Sequence, residues 1–269
     1  RAAARNGAGR GLHSGGTVNS QSVRALRLDP TLEPEAYTSV FRQFGRLHIP
    51  GVLTPDSAGR IAETLVGLKS WRRILHGEDG RDLDIPLEEI DELPPEERQL
   101  LERGIQAGAR DSFRYMFDGV RLSAAVLNGQ PLDPELFDVL MFLNSPHFLN
   151  FIKRLTGDPR PVFCDAIATR YLPGHFLTAH DDEAPGENRL FAYVLNLTGR
   201  WRADWGGMLL FLDEQDHVAE GYVPAFNALN IFRVPQRHAV SFVAPYAGAA
   251  RLSVTGWVRS RVPEGWPHG

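Results

Sequence analysis

Cysteine is almost absent from this sequence, since Cys164 is the one thiol in 269 residues. A single cysteine excludes an intrachain disulfide, and its position in an apolar pattern is typical of a buried structural thiol. The sequence also lacks any apolar run of the roughly 18 residues that a membrane-spanning helix needs. We therefore expect a protein of a reducing compartment, the cytoplasm, without a membrane segment.

A positive charge excess is missing as well. The 29 Lys and Arg residues are outnumbered by 33 Asp and Glu residues, for a formal charge of −4. This balance argues against a nucleic-acid-binding surface. Apolar residues make up 43% and charged residues 23%, as in an ordinary globular protein. No repeat of fixed period divides the chain, so we expect a single domain.

Acidic residues are missing from residues 1–28, which carry five arginines among many Ala, Gly and Ser residues. This composition predicts a flexible basic tail, with a targeting segment or a cloning remnant as the alternatives. Residues 262–269 are predicted to be a C-terminal tail. The packed domain is therefore expected to span residues 29–261.

The first half of this domain, residues 29–158, is predicted to be mostly helical. Apolar residues recur there at helical spacing, and Thr54-Pro55, Asp133 and Ser145-Pro146 provide helix-start signals. The predicted helices cover residues 34–44, 54–68, 98–107, 133–143 and 146–156. We expect these helices to support the second half, and the loops at 77–95 and 118–132 to shape a substrate entrance.

The second half, residues 159–261, consists of short apolar segments separated by Gly, Pro and Asn. Such spacing is typical of strands in a sandwich, barrel or jelly roll. The predicted strands cover residues 161–171, 175–181, 189–197, 207–213, 228–234, 238–243 and 251–259.

His180 and Asp182 stand two residues apart near the end of one predicted strand. On a strand this spacing places both side chains on the same face. An imidazole and a carboxylate on one face can supply two ligands to one metal ion, and His238 is the candidate for a third. Two histidines and one carboxylate form the facial triad that suits non-haem Fe(II).

The spacing of His180 and Asp182 is weak evidence by itself. With nine His and 33 acidic residues, about one His-x-acid pair is expected by chance, and His76 with Glu78 is a second instance. His175 on a predicted turn and His217 in an acidic loop are interpreted as surface or outer residues. The order of the residues after Asp182 is what strengthens the metal-site hypothesis.

Arg251 follows His238 by 13 residues and shares a predicted strand face with Ser253 and Thr255. A guanidinium beside two hydroxyls is well suited to a carboxylate, which arginine binds through two parallel hydrogen bonds. The sequence thus predicts a small anion next to the metal. Arg233 and Arg237 are the alternatives for this role.

The order of these residues resembles that of the Fe(II)- and 2-oxoglutarate-dependent dioxygenases, in particular their prolyl-hydroxylase-like branch. Tyr171 precedes His180 by nine residues, and a Gly206-Gly207 strand lies between Asp182 and His238. The segment 251–257 resembles the subgroup that includes ribosomal-protein prolyl hydroxylases.

The resemblance implies an α+β fold, with a double-stranded β-helix (jelly-roll) core and a supporting layer of N-terminal helices. It implies that Fe(II) binds His180, Asp182 and His238. It further implies that 2-oxoglutarate binds Arg251, with Tyr171, Ser253 and Tyr193 as additional contacts. O2 is the second cosubstrate, and ascorbate is a further candidate.

The expected activity is hydroxylation of a C–H bond, because family halogenases replace the carboxylate ligand that Asp182 retains. A prolyl residue of a protein or peptide is the preferred substrate. One alternative is a hydroxylase of a small molecule or free amino acid. Another is a β-barrel metal- or ligand-binding protein without turnover.

Overall fold

A computed structural model of the protein describes residues 25–77 and 79–267. The predictions for residues 1–24, Glu78 and residues 268–269 lie outside these ranges. Leu28 is buried and forms a β-bridge with Leu53, so the packed part of the chain includes residues that we assigned to the basic tail. Near the other end, the ring of Trp266 packs edge-on against Phe163 at 4.7 Å.

The described residues contain thirteen strands, and every strand pairing is antiparallel. The strands are β1 (Arg46–Pro50), β2 (Arg72–His76), β3 (Asp82–Pro86), β4 (Tyr115–Arg121), β5 (Phe163–Cys164), β6 (Ile167–Tyr171), β7 (Phe176–His180), β8 (Arg189–Asn196), β9 (Leu209–Leu212), β10 (Val218–Tyr222), β11 (Ala228–Arg233), β12 (His238–Val240) and β13 (Arg251–Arg259).

The main path of the sheet runs β1-β11-β8-β13-β6-β4-β7-β12-β9-β10. Its two terminal strands meet, because Arg46 of β1 forms an ion pair with Glu220 of β10, and His48 packs on Tyr222 with ring centroids 5.2 Å apart. The sheet is therefore a nearly closed barrel. This confirms the predicted α+β fold with a jelly-roll core.

Seven α-helices accompany the barrel within the described ranges. They are α1 (Thr38–Phe44), α2 (Pro55–Gly67), α3 (Leu87–Glu92), α4 (Pro95–Gly108), α5 (Leu122–Leu127), α6 (Pro134–Leu143) and α7 (Pro146–Thr156). The predicted starts of α2, α6 and α7 are confirmed, since Thr54, Asp133 and Ser145 each accept a hydrogen bond from the first turn of their helix. None of these helices has the length and apolar character to cross a membrane.

Helices α2, α6 and α7 contribute to one apolar core on the outer face of β8 and β13. This core includes Ile61 of α2, Leu140 of α6 and Ile152 of α7, together with Tyr193 of β8 and Val254 of β13, all fully buried. The helices therefore support the barrel from one side and leave its interior free for a site.

The first half of the domain contributes strands to the sheet as well as helices, and α3 and α5 lie in the segments 77–95 and 118–132 that were predicted to be loops. It supplies β1, which pairs with β11, and β4, which lies between β6 and β7 in the barrel. It also supplies the β2–β3 hairpin, which pairs with β4. The helical first half and the β-rich second half are thus joined in one sheet, and β4 forms part of the wall around the barrel interior.

A buried ionic network joins three of these strands. Asp118 of β4 is fully buried and binds Arg73 of β2 at 2.7 Å and Arg170 of β6 at 2.7 Å. His175 lies next to this network and is only 2% exposed, so its assignment to the surface is wrong. Its Nδ1 accepts a hydrogen bond from the backbone N–H of Leu172 at 3.2 Å, which identifies a structural role.

His175 is expected to make the stability of the protein depend on pH. Burial, reinforced by the charge of Arg73, lowers the pKa of His175 to about 4, whereas an unfolded chain titrates near 6.5. The unfolded state therefore takes up the proton first, and the free energy of unfolding falls as the pH drops from about 6.5 towards 4.

The measurement is denaturant unfolding of the metal-free protein at pH 7 and pH 4.5, for the wild type and His175→Gln. Glutamine keeps a hydrogen-bond acceptor and cannot titrate. We expect the wild type to lose roughly 2–3 kcal/mol more stability than the variant between these pH values. Equal losses in both proteins would contradict this assignment.

Candidate metal and anion site

The two histidines of the site are brought together by strand pairing. His180 ends β7 and His238 begins β12, and the two residues are direct partners in the antiparallel register. Their ring centroids lie 4.1 Å apart. Directly opposite residues on an antiparallel pair project from the same face, so both imidazoles enter the barrel interior.

Asp182 lies next to the two imidazoles, although it is not part of strand β7. Strand β7 ends at His180, and Asp182 lies beyond it with a φ of 64° in the left-handed region. The prediction that both residues alternate on one strand is therefore wrong, although their side chains do meet. The carboxylate lies 3.4 Å from Nε2 of His180 and 3.4 Å from Nε2 of His238.

Hydrogen bonds orient both imidazoles for metal binding. Nδ1 of His180 donates to the carbonyl of Thr178 at 2.9 Å, and Nδ1 of His238 donates to the carbonyl of Gln236 at 2.8 Å. Because a carbonyl can only accept, the ring proton is on Nδ1 and the lone pair of Nε2 faces Asp182. The three ligand atoms lie within 4.8 Å of one another, so they could bind one metal ion.

The protonation states also suit a divalent cation. Burial lowers the pKa of His238 to about 4, which keeps this imidazole neutral near pH 7. Burial opposes ionisation of Asp182, but the rings of His180 and His238 and the Trp257 indole face the carboxylate and together hold its pKa below the ordinary value. Two imidazoles and one carboxylate are the donor set that Fe(II) prefers in open facial sites.

A cavity of about 110 Å³ extends from these three residues into the barrel. Its inner wall carries Arg251, which is 2% exposed and lies with its guanidinium 4.7 Å from the ring centroid of Tyr171. Nε of Arg251 has no hydrogen-bond partner, and no carboxylate among residues 25–77 and 79–267 forms an ion pair with it. A buried guanidinium without an anionic partner is costly, so this arrangement indicates a site for an anion.

Burial also lowers the pKa of Arg251, although the neighbouring Tyr171 opposes this shift. The buried charge of Arg251 therefore destabilises the protein as long as no anion binds beside it. An anion in the cavity would offset this cost by pairing with the guanidinium.

Tyr171 and Ser253, two further predicted contacts, also line the cavity. The ring of Tyr171 stacks on Phe117 with centroids 5.2 Å apart. The hydroxyl of Ser253 lies 2.7 Å from that of Thr169 on the neighbouring strand. Tyr171 and Ser253 are both buried, and they line the same wall of the cavity as Arg251.

Tyr193 is not brought to the site, although it was predicted as a contact. Its ring is fully buried in the core that faces the helices, and its hydroxyl donates to the carbonyl of Asp165 at 2.7 Å. Its neighbours on β8, Ala192 and Val194, line the cavity instead. Alternation along the strand therefore directs Tyr193 to the opposite face of the sheet.

The alternatives to Arg251 do not reach the cavity. Arg233 lies over the ring of Phe41 at 5.6 Å, and Arg237 pairs with Asp216 at 2.7 Å. The 13-residue interval between His238 and Arg251 is accommodated by the turns that precede β13. Of the three arginines considered from the sequence, Arg251 is thus the one that faces the metal-ligand group.

Sequence reasoning missed several residues of the cavity wall. Thr169 lies two residues before Tyr171 on β6, and Phe117 lies on the neighbouring strand β4. A period of two along β6 would have identified Thr169. Phe117 could not be placed, because its position depends on the pairing of β4 with strands that follow it by about 50 residues.

A second, larger cleft of about 500 Å³ adjoins this cavity. Ile167 and Trp257 line both spaces, and Arg121 and Arg261 border the cleft. The cleft therefore approaches the cavity on the side of Ile167 and Trp257.

Comparisons with known proteins agree with this geometry. Residues 166–259 match the family model of the 2OG-Fe(II) oxygenase superfamily, and this stretch contains His180, Asp182, His238 and Arg251. A prolyl 3-hydroxylase of Mus musculus, OGFOD1, is 30% identical over 117 residues, or 41% of this chain. That match spans 21% of the mouse protein, so the chain corresponds to about a fifth of its length.

Two solved structures show the same fold at low sequence identity. A prolyl-4-hydroxylase of Pseudomonas putida is 17% identical with a TM-score of 0.53, over 85% of this chain and 99% of that one. A prolyl hydroxylase of Trichoplax adhaerens, solved with a peptide of hypoxia inducible factor, is 14% identical with a TM-score of 0.55. That similarity covers 84% of this chain and 90% of the other.

The family match and the geometry of the barrel interior point to the same conclusion. The matched segment runs from the residue before β6, the strand that ends at Tyr171, to the end of β13, and it includes β7, β12 and β13, which carry His180, His238 and Arg251. Over residues 166–259 the chain is similar to the 2OG-Fe(II) oxygenase superfamily.

Proposed function

We propose that this protein is an Fe(II)- and 2-oxoglutarate-dependent dioxygenase that hydroxylates a prolyl residue of a protein or peptide. The observation that carries the proposal is the unpaired, buried Arg251 in the same cavity as His180, Asp182 and His238. A metal-binding group beside a buried cation requires a ligand that is anionic and can also approach the metal. 2-Oxoglutarate has this chemistry, with a carboxylate at each end and a keto oxygen.

His180, Asp182 and His238 would hold the iron, which when bound supplies the oxidation of a C–H bond coupled to conversion of 2-oxoglutarate and O2 into succinate and CO2. Arg251 would bind the far carboxylate of 2-oxoglutarate through two parallel hydrogen bonds. The adjacent hydroxyls of Ser253 and Thr169 could donate further hydrogen bonds to it.

The apolar side chains of the cavity keep water away from the metal ligands. Leu177, Val194 and Val240 line it between the strands, and they exclude water from the region around the ligands. Exclusion of water strengthens the pairing of Arg251 with a carboxylate. A reducing compartment such as the cytoplasm, expected from the single cysteine, would help to keep the iron in its Fe(II) state.

The shape of the site supports a polypeptide substrate. The interior cavity is small, about 110 Å³, whereas the adjoining cleft is about 500 Å³. A substrate larger than a free amino acid would place a residue at the metal and the flanking chain in this cleft. The similar proteins from mouse, Pseudomonas putida and Trichoplax adhaerens are all named prolyl hydroxylases, which supports a prolyl residue as the target.

Mass spectrometry tests the substrate directly. Proline-containing peptides and free proline are incubated with the protein, Fe(II), 2-oxoglutarate and O2. We expect a gain of one oxygen on a prolyl residue of a peptide, together with an equal amount of succinate, and neither product with His180→Ala. Oxidation of free amino acids alone would favour the small-molecule alternative, and failure to form succinate with any substrate would favour a non-catalytic binder.

A further inference from the structure

The backbone of Asp182 adopts a conformation that needs external support. Its φ of 64° lies in the left-handed region, which non-glycine residues adopt infrequently, although aspartate tolerates it better than most. The residue also lies outside β7, so the hydrogen bonds of the sheet do not hold it. Other contacts must therefore fix the direction of its carboxylate.

Arg189 provides such a contact from the start of β8. Its Nη1 donates a hydrogen bond to the carbonyl of Asp182 at 3.1 Å. Its guanidinium lies over the ring of Trp257 with Cζ only 3.7 Å from the centroid, the shortest such distance among the described residues. The close contact of the guanidinium with the Trp257 ring thus limits where Arg189 can place its hydrogen-bond donors.

Trp257 is itself firmly held. Its backbone N–H donates to the Asp165 carboxylate at 2.7 Å, and Asp165 is 8% exposed and bound by Arg259 at 2.5 Å. The indole Nε1 is buried and has no hydrogen-bond partner in the described part of the chain. Trp257 lines the same cavity as Asp182. Because β13 holds the Trp257 ring in place, this ring can restrict the position of Asp182.

We propose that Arg189 and Trp257 act as one unit that positions Asp182. The stacked pair holds the left-handed backbone, so that the carboxylate faces both imidazoles before a metal binds. Without this support, Asp182 could rotate away from His180 and His238, and metal binding would have to restore the conformation. This inference rests on the proposed function, since it treats Asp182 as a metal ligand.

The test is anaerobic titration with Mn(II) by calorimetry, which needs no turnover. Outer contacts of this kind typically contribute 10- to 100-fold to metal affinity, so we expect Arg189→Ala and Trp257→Ala each to weaken binding by roughly that factor. If the two residues act as a unit, the double variant should bind Mn(II) about as tightly as either single variant. Trp257→Phe keeps an aromatic face for Arg189 and should retain most of the affinity.

A second readout separates positioning from general stability. The visible spectrum of the Co(II)-loaded protein reports the ligand geometry, and we expect it to change in Arg189→Ala and to stay close to that of the wild type in Trp257→Phe. Arg189→Lys, which keeps the charge without the planar stack, should fall between Arg189→Ala and the wild type in affinity. Arg233→Ala is the matched control, because it removes an arginine over a ring, that of Phe41, away from the cavity.

The possible outcomes distinguish this inference from the proposed function. If the wild type binds Mn(II) and folded Arg189→Ala and Arg189→Lys bind it within about twofold, the positioning role is overturned while the metal site stands. Strictly additive losses in the double variant would also overturn it, because independent residues do not form a unit. If the wild type binds no Mn(II), the metal site fails and this inference fails with it.

Discussion

His238→Ala is expected to lower the affinity for Fe(II) by at least about 100-fold, a larger loss than outer contacts of metal ligands typically cause. The substitution removes one of three ligand atoms that lie within 4.8 Å of one another. His238 is also held by its hydrogen bond to Gln236 and by its pairing with His180. Within residues 25–77 and 79–267, no other His, Cys, Asp or Glu forms such a group with His180 and Asp182. Succinate formation should disappear together with metal binding.

Anaerobic titration with Fe(II) or Mn(II) measures this effect. His217→Ala is the matched control, because His217 is exposed and pairs with Asp213 in a surface turn. The control should bind one metal ion per chain with unchanged affinity. Equal metal affinity in His238→Ala and the wild type would refute the proposed ligand set.

Arg251→Ala is expected to weaken the binding of 2-oxoglutarate by roughly 2–5 kcal/mol, which corresponds to about 30-fold or more. The substitution removes the buried cation at the inner end of the cavity and leaves the three metal ligands in place. Metal affinity should therefore change little. Arg251→Lys keeps a charge but loses the two parallel donors, so we expect an intermediate affinity.

The stability of Arg251→Ala in the absence of ligands is a second, independent measurement. A buried guanidinium without an anionic partner destabilises the ligand-free protein. The variant should therefore unfold at a similar or higher denaturant concentration than the wild type, while its affinity for 2-oxoglutarate falls. Unchanged or higher stability together with weaker binding of 2-oxoglutarate is expected of a residue that serves binding rather than stability.

Arg233→Ala and Arg237→Ala are the controls for 2-oxoglutarate binding, measured by titration of the Mn(II)-loaded protein. Both arginines have contacts outside the cavity, with Phe41 and Asp216 respectively. Neither substitution should change the affinity for 2-oxoglutarate by more than about twofold. A loss in either control, with no loss in Arg251→Ala, would contradict the assignment of the anion site.

Local signals in the sequence predicted the starts of three helices. Thr54, Asp133 and Ser145 precede proline and begin α2, α6 and α7 as expected. Capping is a short-range interaction, since the side chain binds a backbone N–H only two or three residues away. Such contacts do not depend on the rest of the fold, and for that reason the sequence is sufficient to place them.

The strands of the first half were harder to predict. β1 pairs with β11, about 180 residues later in the chain, and β4 is inserted between β6 and β7. A short strand has little preference of its own, because its hydrogen bonds and buried face come from its neighbours. The alternation of Phe113, Tyr115 and Phe117 is typical of a strand, but by itself it does not show that this strand belongs to the barrel.

By itself, the sequence determined the residue types of the site, their order and their approximate spacing, because these are properties of a linear chain. The tertiary structure decided which of them meet. It directed Tyr193 towards the helices, since β8 is buried on both faces and its apolar residues do not reveal which face is inside. It also placed Arg251 rather than Arg233 or Arg237 in the cavity, and it brought Arg189 into hydrogen-bond contact with the left-handed backbone of Asp182. These outcomes depend on contacts between strands distant in sequence, and such contacts exist only once the barrel has closed.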